Sequence, residues 1–464
     1  MEQEMKSASW KTALWDVSWE ELATEKYSVI GNCTFDEQNG ITLEIPFGDL
    51  SESRSIGATG LYAYSIEGDH YDSLVGFSQD GKRLALLDVH SRGVSMRFPG
   101  SSTECFFSAT AYISDNEFDP RASIKYARLD LHGVSDWLGY RIESSIEDDH
   151  VKLSSSGAEK TQLLYECERF CVILRYGQSR PVVSQNAIES HRYAFFDLEL
   201  KESISLDELW HDVVWRLQCL FALFYGFYPS IESLTVTLEG CPSQVAVYRA
   251  SSNGCDRKVA ESMSPISFRT LQSAGLIKAA AYLFELQGEE RHAVEILTSL
   301  LGGWDAPFEL QLMAANSMIE AMARAKNGFL YSKKEFAELT KPIIDVAPDM
   351  IKQRVEGIIG LLKNPSYSML LDRINDECRP WFSRLVGNWK LFKKEQIEFR
   401  TRGAHGKAVG GASQPMIDHY YAQICLGYHA LMLRMGLSDE VLNHFEESNF
   451  LNVARWHIQE HYSC

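Results

Sequence analysis

Two periodicities divide this chain. Up to about residue 250 the apolar positions fall in short β-branched and aromatic runs between turn residues, which predicts strands with one buried face. Runs at 27–35 and 41–45 flank Asn39-Gly40, and runs at 74–77 and 82–89 flank Asp80-Gly81, two hairpin signatures. Further strands are predicted at 94–98, 104–113, 124–131, 162–165, 170–176, 182–185, 191–200, 234–238 and 244–249. One helix interrupts them. Ser205-Leu206-Asp207-Glu208 carries the hydroxyl and carboxylate of a capping box. The apolar residues that follow run round the whole circumference to about Tyr225, where Gly226 and Pro229 stop it. Strands this frequent predict a sandwich-like domain or a strongly curved sheet, with Phe106, Phe107 and Tyr112 in its core.

After a stretch rich in Ser, Asn and Gly at 251–267 the period becomes 3.6 and stays there. Helices are predicted at 268–284, 291–301, 307–326, 333–346, 349–363, 366–377, 380–400, 415–435 and 438–461, joined by short loops. The predicted fold class is α+β in two domains. A β-rich, sandwich-like domain covers 1–260 and an all-α helical bundle covers 266–464.

Composition alters this picture in three ways. The most apolar run, 217–228, is too short to cross a bilayer, and the first eleven residues lack the apolar core of a signal peptide. A cytoplasmic location without membrane association is expected. The 10 cysteines form no framework; Cys167 and Cys171 make a lone C-x3-C and read as reduced thiols, so no metal site and no cofactor are expected. The net charge of −18 is uneven: residues 1–260 carry 39 acidic and 23 basic side chains, net −16, against 24 and 22, net −2, over 261–464. An acidic chain of this kind does not hold nucleic acid indiscriminately. Residues 379–409 stand apart, with eight Lys or Arg against Glu395 and Glu398, a local net of +6.

Within that basic patch lies Arg400-Thr401-Arg402-Gly403-Ala404-His405-Gly406-Lys407. An arginine four to six residues before a histidine also occurs as Arg83 and His90 and as Arg455 and His461. The first pair belongs to a strand of the acidic half. The second lies at the C-terminus, where fraying would unsettle a base and where His457 and His461 read as solvent-facing. Only Arg400 and His405 join a basic helix to a glycine-rich loop that leaves the backbone bare for a sugar-phosphate.

Cleaving RNA without a metal requires removing a proton from the ribose 2′-OH, giving one to the 5′-oxygen and stabilising charge on the phosphorane. An imidazole does the proton work near neutrality. A guanidinium stays charged and donates parallel hydrogen bonds to phosphate oxygens. His405 is thus the candidate acid/base and Arg400 the phosphate clamp. Thr401 would orient ribose or phosphate, and Arg402, Lys407 and Lys393 would hold flanking phosphates. The same residues also read as a solvated charged face, with Arg400 and Arg402 paired to carboxylates such as Glu398.

The C-terminal helices with Arg400-Thr-Arg-Gly-Ala-His405-Gly resemble HEPN domains, and more narrowly the HEPN domain of ApeA-type abortive-infection proteins from bacteria. The front half resembles the accompanying N-terminal domain in Ile41-Thr-Leu-Glu-Ile-Pro46, Tyr71-Asp-Ser-Leu-Val-Gly76 and Ala127-Arg-Leu-Asp-Leu-His-Gly133. The resemblance implies a two-domain antiphage effector: a sensing domain and a metal-independent HEPN endoribonuclease released by a phage trigger, tRNA being a frequent target. It implies a homodimer or higher homo-oligomer whose paired motifs face one cleft. Arg400 and His405 match the family's pair; Thr401 fills a slot more often held by Asn, Asp or His. A catalytically silent HEPN sensor or adaptor, binding RNA or a phage protein, is the alternative.

Overall fold

The computed structural model describes residues 8–14, 29–36, 40–45, 70–78, 82–97, 264–301, 306–326, 331–404 apart from 363, and 413–463. It also describes 101–249 apart from 117, 121, 139–142, 148–149, 155–158, 180–181, 184–187, 190 and 242. The chain forms two compact units, one of Met1–Ser135, Tyr140–Val214 and Ser230–Gly254, the other of Asp136–Gly139, Trp215–Pro229 and Cys255–Cys464. A β-rich unit and a helical unit make the α+β, two-domain architecture read from the periodicities.

The β-rich unit holds β1 (Ala8–Leu14), β2 (Val29–Asp36), β3 (Gly40–Ile45), β4 (His70–Ser78), β5 (Arg83–Arg97), β6 (Ser101–Ser108), β7 (Thr110–Ser114) and β8 (Ile124–Leu131). Then come β9 (Glu143–Glu147), β10 (His150–Ser154), β11 (Lys160–Glu166), β12 (Phe170–Gln178), β13 (Val182–Val183), β14 (Ile188–Glu189), β15 (Arg192–Ile204), β16 (Ile231–Leu238) and β17 (Gln244–Arg249). Thirteen of them make one antiparallel sheet, in the order β11-β12-β15-β8-β16-β17-β7-β5-β4-β1-β2-β3-β6. β6 also pairs back onto β5, so β5, β4, β1, β2, β3 and β6 close into a barrel. The strongly curved sheet, rather than two stacked sheets, is what the hydrogen bonds describe.

The length of β5 explains the closure. Its first residues pair with β7, Leu87 opposite Thr110, and its last pair with β6, His90 opposite Phe107. β6 and β7 are nearly one strand, as the 104–113 pattern predicts, bent where it leaves β3 for β17. Ser108 occupies the bend, its one hydroxyl hydrogen within reach of the backbone carbonyls of Leu87 and Thr110 and serving one at a time. Cys33, Ile41, Leu43, Ile45, Leu74, Leu84, Leu86, Val89, Phe106 and Ala111 form the adjoining core. Phe106 and Tyr112 are buried as expected; Phe107 is only half-buried, with the Arg92 guanidinium 4.7 Å above its ring. Successive strand residues face opposite ways, so Phe106 and Phe107 cannot both face the core. β2 and β3 pair antiparallel with Asp36 opposite Gly40, which has φ +79, a value glycine adopts freely; Asn39 and the Asp80-Gly81 pair lie outside the described residues. β1, β9, β10 and β14 have no counterpart among the predicted strands.

The capping box at Ser205 is present in the β-rich unit, and after one π-helical turn at Trp210–Val214 the chain enters the helix Trp215–Tyr225 of the helical unit. Arg216 to Tyr225 are all buried. Arg216 donates to the Leu283 carbonyl, and Tyr428 donates to the Leu223 carbonyl at 2.8 Å. This helix therefore packs with the C-terminal helices although the predicted boundary lies after it. The remaining helices are Phe268–Ala274, Leu276–Glu285, Gly288–Leu301, Phe308–Lys326, Lys333–Asp345, Asp349–Leu361, Tyr367–Leu385, Trp389–Ala404, Gln414–Arg434, Asp439–Glu447 and Asn449–His461. The predicted break before Pro380 is absent. Tyr367–Leu385 runs through Pro380, and the chain turns instead at 386–388, where Asn388 caps the next helix by accepting from Leu391 N at 3.1 Å. The predicted 268–284 helix divides at Gly275, where a Cβ would lie 2.6 Å from Leu437 Cδ2. Among the described residues no helix is long and apolar enough to cross a membrane.

Candidate active site

Arg400 lies one turn before the end of the helix Trp389–Ala404. Its Nη2 and Nε donate to one carboxylate oxygen of Glu320, at 2.8 and 3.2 Å, from the helix Phe308–Lys326. The guanidinium carbon sits 4.4 Å above the Tyr367 ring, an arrangement in which cation and ring face attract. Glu320 also pairs with Arg324 at 2.5 Å. Arg400 is thus braced from two helices while 42% of its side chain stays exposed. These bonds use two of the five guanidinium N–H donors; the second Nη2–H and both Nη1–H take part in neither.

Beneath this cation lies a buried polar network. Gln396, one turn before Arg400, donates through Nε2 to Asn316 Oδ1 and Tyr367 Oη, both at 2.6 Å. Its amide oxygen meets His419 Nε2 at 2.6 Å, and His419 Nδ1 meets Tyr462 Oη at 2.6 Å. Tyr462 Oη is also 2.7 Å from Glu395 Oε2, and His461 Nε2 lies 3.1 Å from that carboxylate oxygen. The single hydroxyl hydrogen of Tyr462 serves His419 or Glu395, one at a time. His419 is fully buried between Phe392 and Phe399. Burial, with His461 nearby, lowers its pKa to about 3, so the ring is neutral at pH 7. Burial likewise raises the Tyr367 phenol well above its ordinary range. A side chain satisfied on every side is rigid, and Gln396 and Tyr367 pass that rigidity to Arg400.

Residues 15–273 match the family of the ApeA N-terminal domain 1. The chain belongs to this family. The match takes in the β-rich unit after β1 and reaches into the helix Phe268–Ala274, well before Arg400. ApeA membership places the protein among antiphage defence proteins. No curated protein and no solved structure matches the chain.

The other predicted site residues of this ApeA protein divide into two groups. His405 and Lys407 lie outside the described residues. The other cations already hold carboxylates: Arg402 bonds Glu398 one turn back, and Lys393 bonds Asp372 at 2.5 Å. Thr401 donates its hydroxyl hydrogen to the Ile397 carbonyl at 2.7 Å. The carboxylate pairing read for Arg400 and Arg402 is therefore present, but Arg400 takes Glu320 and not Glu398. Of the two other Arg and His pairs, Arg83 and His90 sit at opposite ends of seven strand steps, about 23 Å apart. Near the C-terminus Tyr462 is fully buried, and His461 binds Glu395 instead of facing solvent. Glu320, Tyr367, Gln396, His419 and Tyr462 were not visible as site residues. Gln396 alone left a signal, its spacing of four from Arg400.

Proposed function

We propose that this ApeA protein is an abortive-infection effector whose helical unit is a HEPN-type, metal-independent endoribonuclease. The observation that carries this reading is Arg400: a half-exposed guanidinium, fixed by Glu320 and Tyr367, at the end of a helix that leads directly to His405. Pre-positioned donors need no rearrangement when charge develops on a phosphorane. His405 acts as general acid/base and Arg400 clamps the scissile phosphate. Arg402, Lys407 and Lys393 meet flanking phosphates, Thr401 lies beside the ribose, and the products carry a 2′,3′-cyclic phosphate and a 5′-OH. One motif supplies one imidazole while the reaction moves two protons, so the active species is a homodimer or higher homo-oligomer with two motifs on one cleft. RNA, with tRNA first among candidates, is the substrate, and a phage component is the trigger.

One observation favours the alternative of a silent HEPN adaptor: Arg400, Arg402 and Lys393 each have a carboxylate partner already. Purified protein incubated with total RNA, with and without chelator, separates the readings. Cleavage that survives chelation and yields 5′-OH ends supports the nuclease. Cleavage abolished by chelation points to a metal enzyme, and intact RNA with the trigger present points to the adaptor.

A further inference from the structure

The barrel carries a cluster that the function above does not use. His70 on β4 and His90 on β5 are directly opposite across the antiparallel pair, with ring centroids 4.6 Å apart. Asp88, two residues before His90, points a carboxylate oxygen at both rings. Oδ1 is 2.7 Å from His70 Nε2 and 3.4 Å from His90 Nε2. One ligand atom from each residue can be chosen so that all three lie within 4.8 Å of one another. Ligand atoms on a tetrahedral cation with bonds of about 2.0–2.1 Å stand about 3.3 Å apart. The cluster is therefore close to the spacing of a bound ion.

The backbone adds a second, independent observation. Asp88 has φ +54 and is the one non-glycine residue with positive φ among those described. It lies where β5 passes from pairing with β7 to pairing with β6. Glycine would hold that conformation without cost, whereas a side chain there costs roughly 1 kcal/mol. A carboxylate held at a strained backbone position between two imidazoles points to a functional constraint. Both histidines stand on paired strands, so the three groups are held by backbone and not by a loop.

We propose that His70, Asp88 and His90 bind one divalent cation of the zinc class, with solvent completing the shell. Two imidazoles and one carboxylate are the donor set of open zinc sites and of related first-row ions. All three side chains are exposed, and the cation clips β4 to β5 at the point where the barrel closes. Linear spacing could not reveal this site, because His70 and His90 are twenty residues apart and meet only through strand register.

The test uses the full-length protein, stripped with chelator, dialysed, and titrated with Zn2+ by calorimetry and with Co2+ by visible absorption. One equivalent binds, and Zn2+ raises the melting temperature. In Asp88→Gly, His70→Ala and His90→Ala, affinity falls at least about tenfold and the zinc-dependent shift disappears. Asp88→Gly relieves the backbone strain, so its metal-free form melts no lower than the parent and lost binding cannot be blamed on misfolding. No binding at micromolar Zn2+, or binding left unchanged in any one of the three variants, overturns the assignment.

Discussion

Arg400 has to stay charged, stay still and stay reachable. Glu320 and Tyr367 supply the first two properties and the end of the helix supplies the third. Lysine keeps the charge but cannot make two bonds from one planar fork or stack in the same way. Arg400→Lys is expected to lower RNA cleavage at least about tenfold while the melting temperature stays near the parent's. Tyr367→Phe separates the bracing ring from the network below it. The ring remains under Arg400, but Gln396 loses one acceptor in a buried site, at about 1–3 kcal/mol by urea denaturation. A loss of cleavage with unchanged stability in that variant would contradict the bracing account. Arg400 was legible in the sequence because a basic patch stands out from an acidic chain. Glu320 was not, because eighty residues of helical chain separate it from Arg400 and only packing joins them.

At the scale of elements, strands announced themselves where hairpin dipeptides flank them and helices where apolar residues recur at 3.6. Helix boundaries were less legible. Pro380 looked like a break, yet the helix runs through it and ends at 386–388. Glycine at 40, the first residue of β3, is a strict requirement: a Cβ there would collide with the Phe107 ring, and φ +79 disfavours any side chain. Gly40→Ala should cost more than about 2 kcal/mol, because strain and overpacking add; equal stability would show that the strand relaxes.

Acid should affect the two units differently. His419 and His429, with pKa values lowered by burial to about 3 and about 4, are protonated in the unfolded chain first, near pH 6.5. Stability of the helical unit is therefore lost as pH falls below about 6.5, by up to about 1.4 kcal/mol per pH unit for each ring, levelling only near those folded values. The Glu446 carboxyl, raised by burial, offsets part of this. Asp130 in the β-rich unit has its pKa raised to about 7 by burial and Glu232, so its folded state binds the proton first and gains stability as pH drops. Hydrogen exchange between pH 7 and 5 should show the helix Gln414–Arg434 losing protection before β8 does; the reverse order would contradict the assignment.

Across the whole molecule the sequence separated a sheet-forming half from a helix-forming half but not the path of the chain between units. Trp215–Pro229 lies among strands in sequence and belongs with the helices in space, because its apolar residues cover every face and need partners all round. A fragment beginning at residue 264 would lack that helix and leave the Leu283 carbonyl and the Tyr428 hydroxyl without their partners. Such a fragment is expected to be insoluble or molten, whereas a soluble fragment with a cooperative melt would show that the helix is dispensable. The family match, confined to 15–273, accounts for the front half. The nuclease reading rests on the helical unit alone.

The most direct measurement is RNA cleavage by purified His405→Ala beside the parent protein, in chelator and with the activating phage component present. The account predicts that the parent leaves 5′-OH ends while the variant, equally folded by circular dichroism and thermal melting, leaves the RNA intact. Undiminished cleavage by the variant would contradict it.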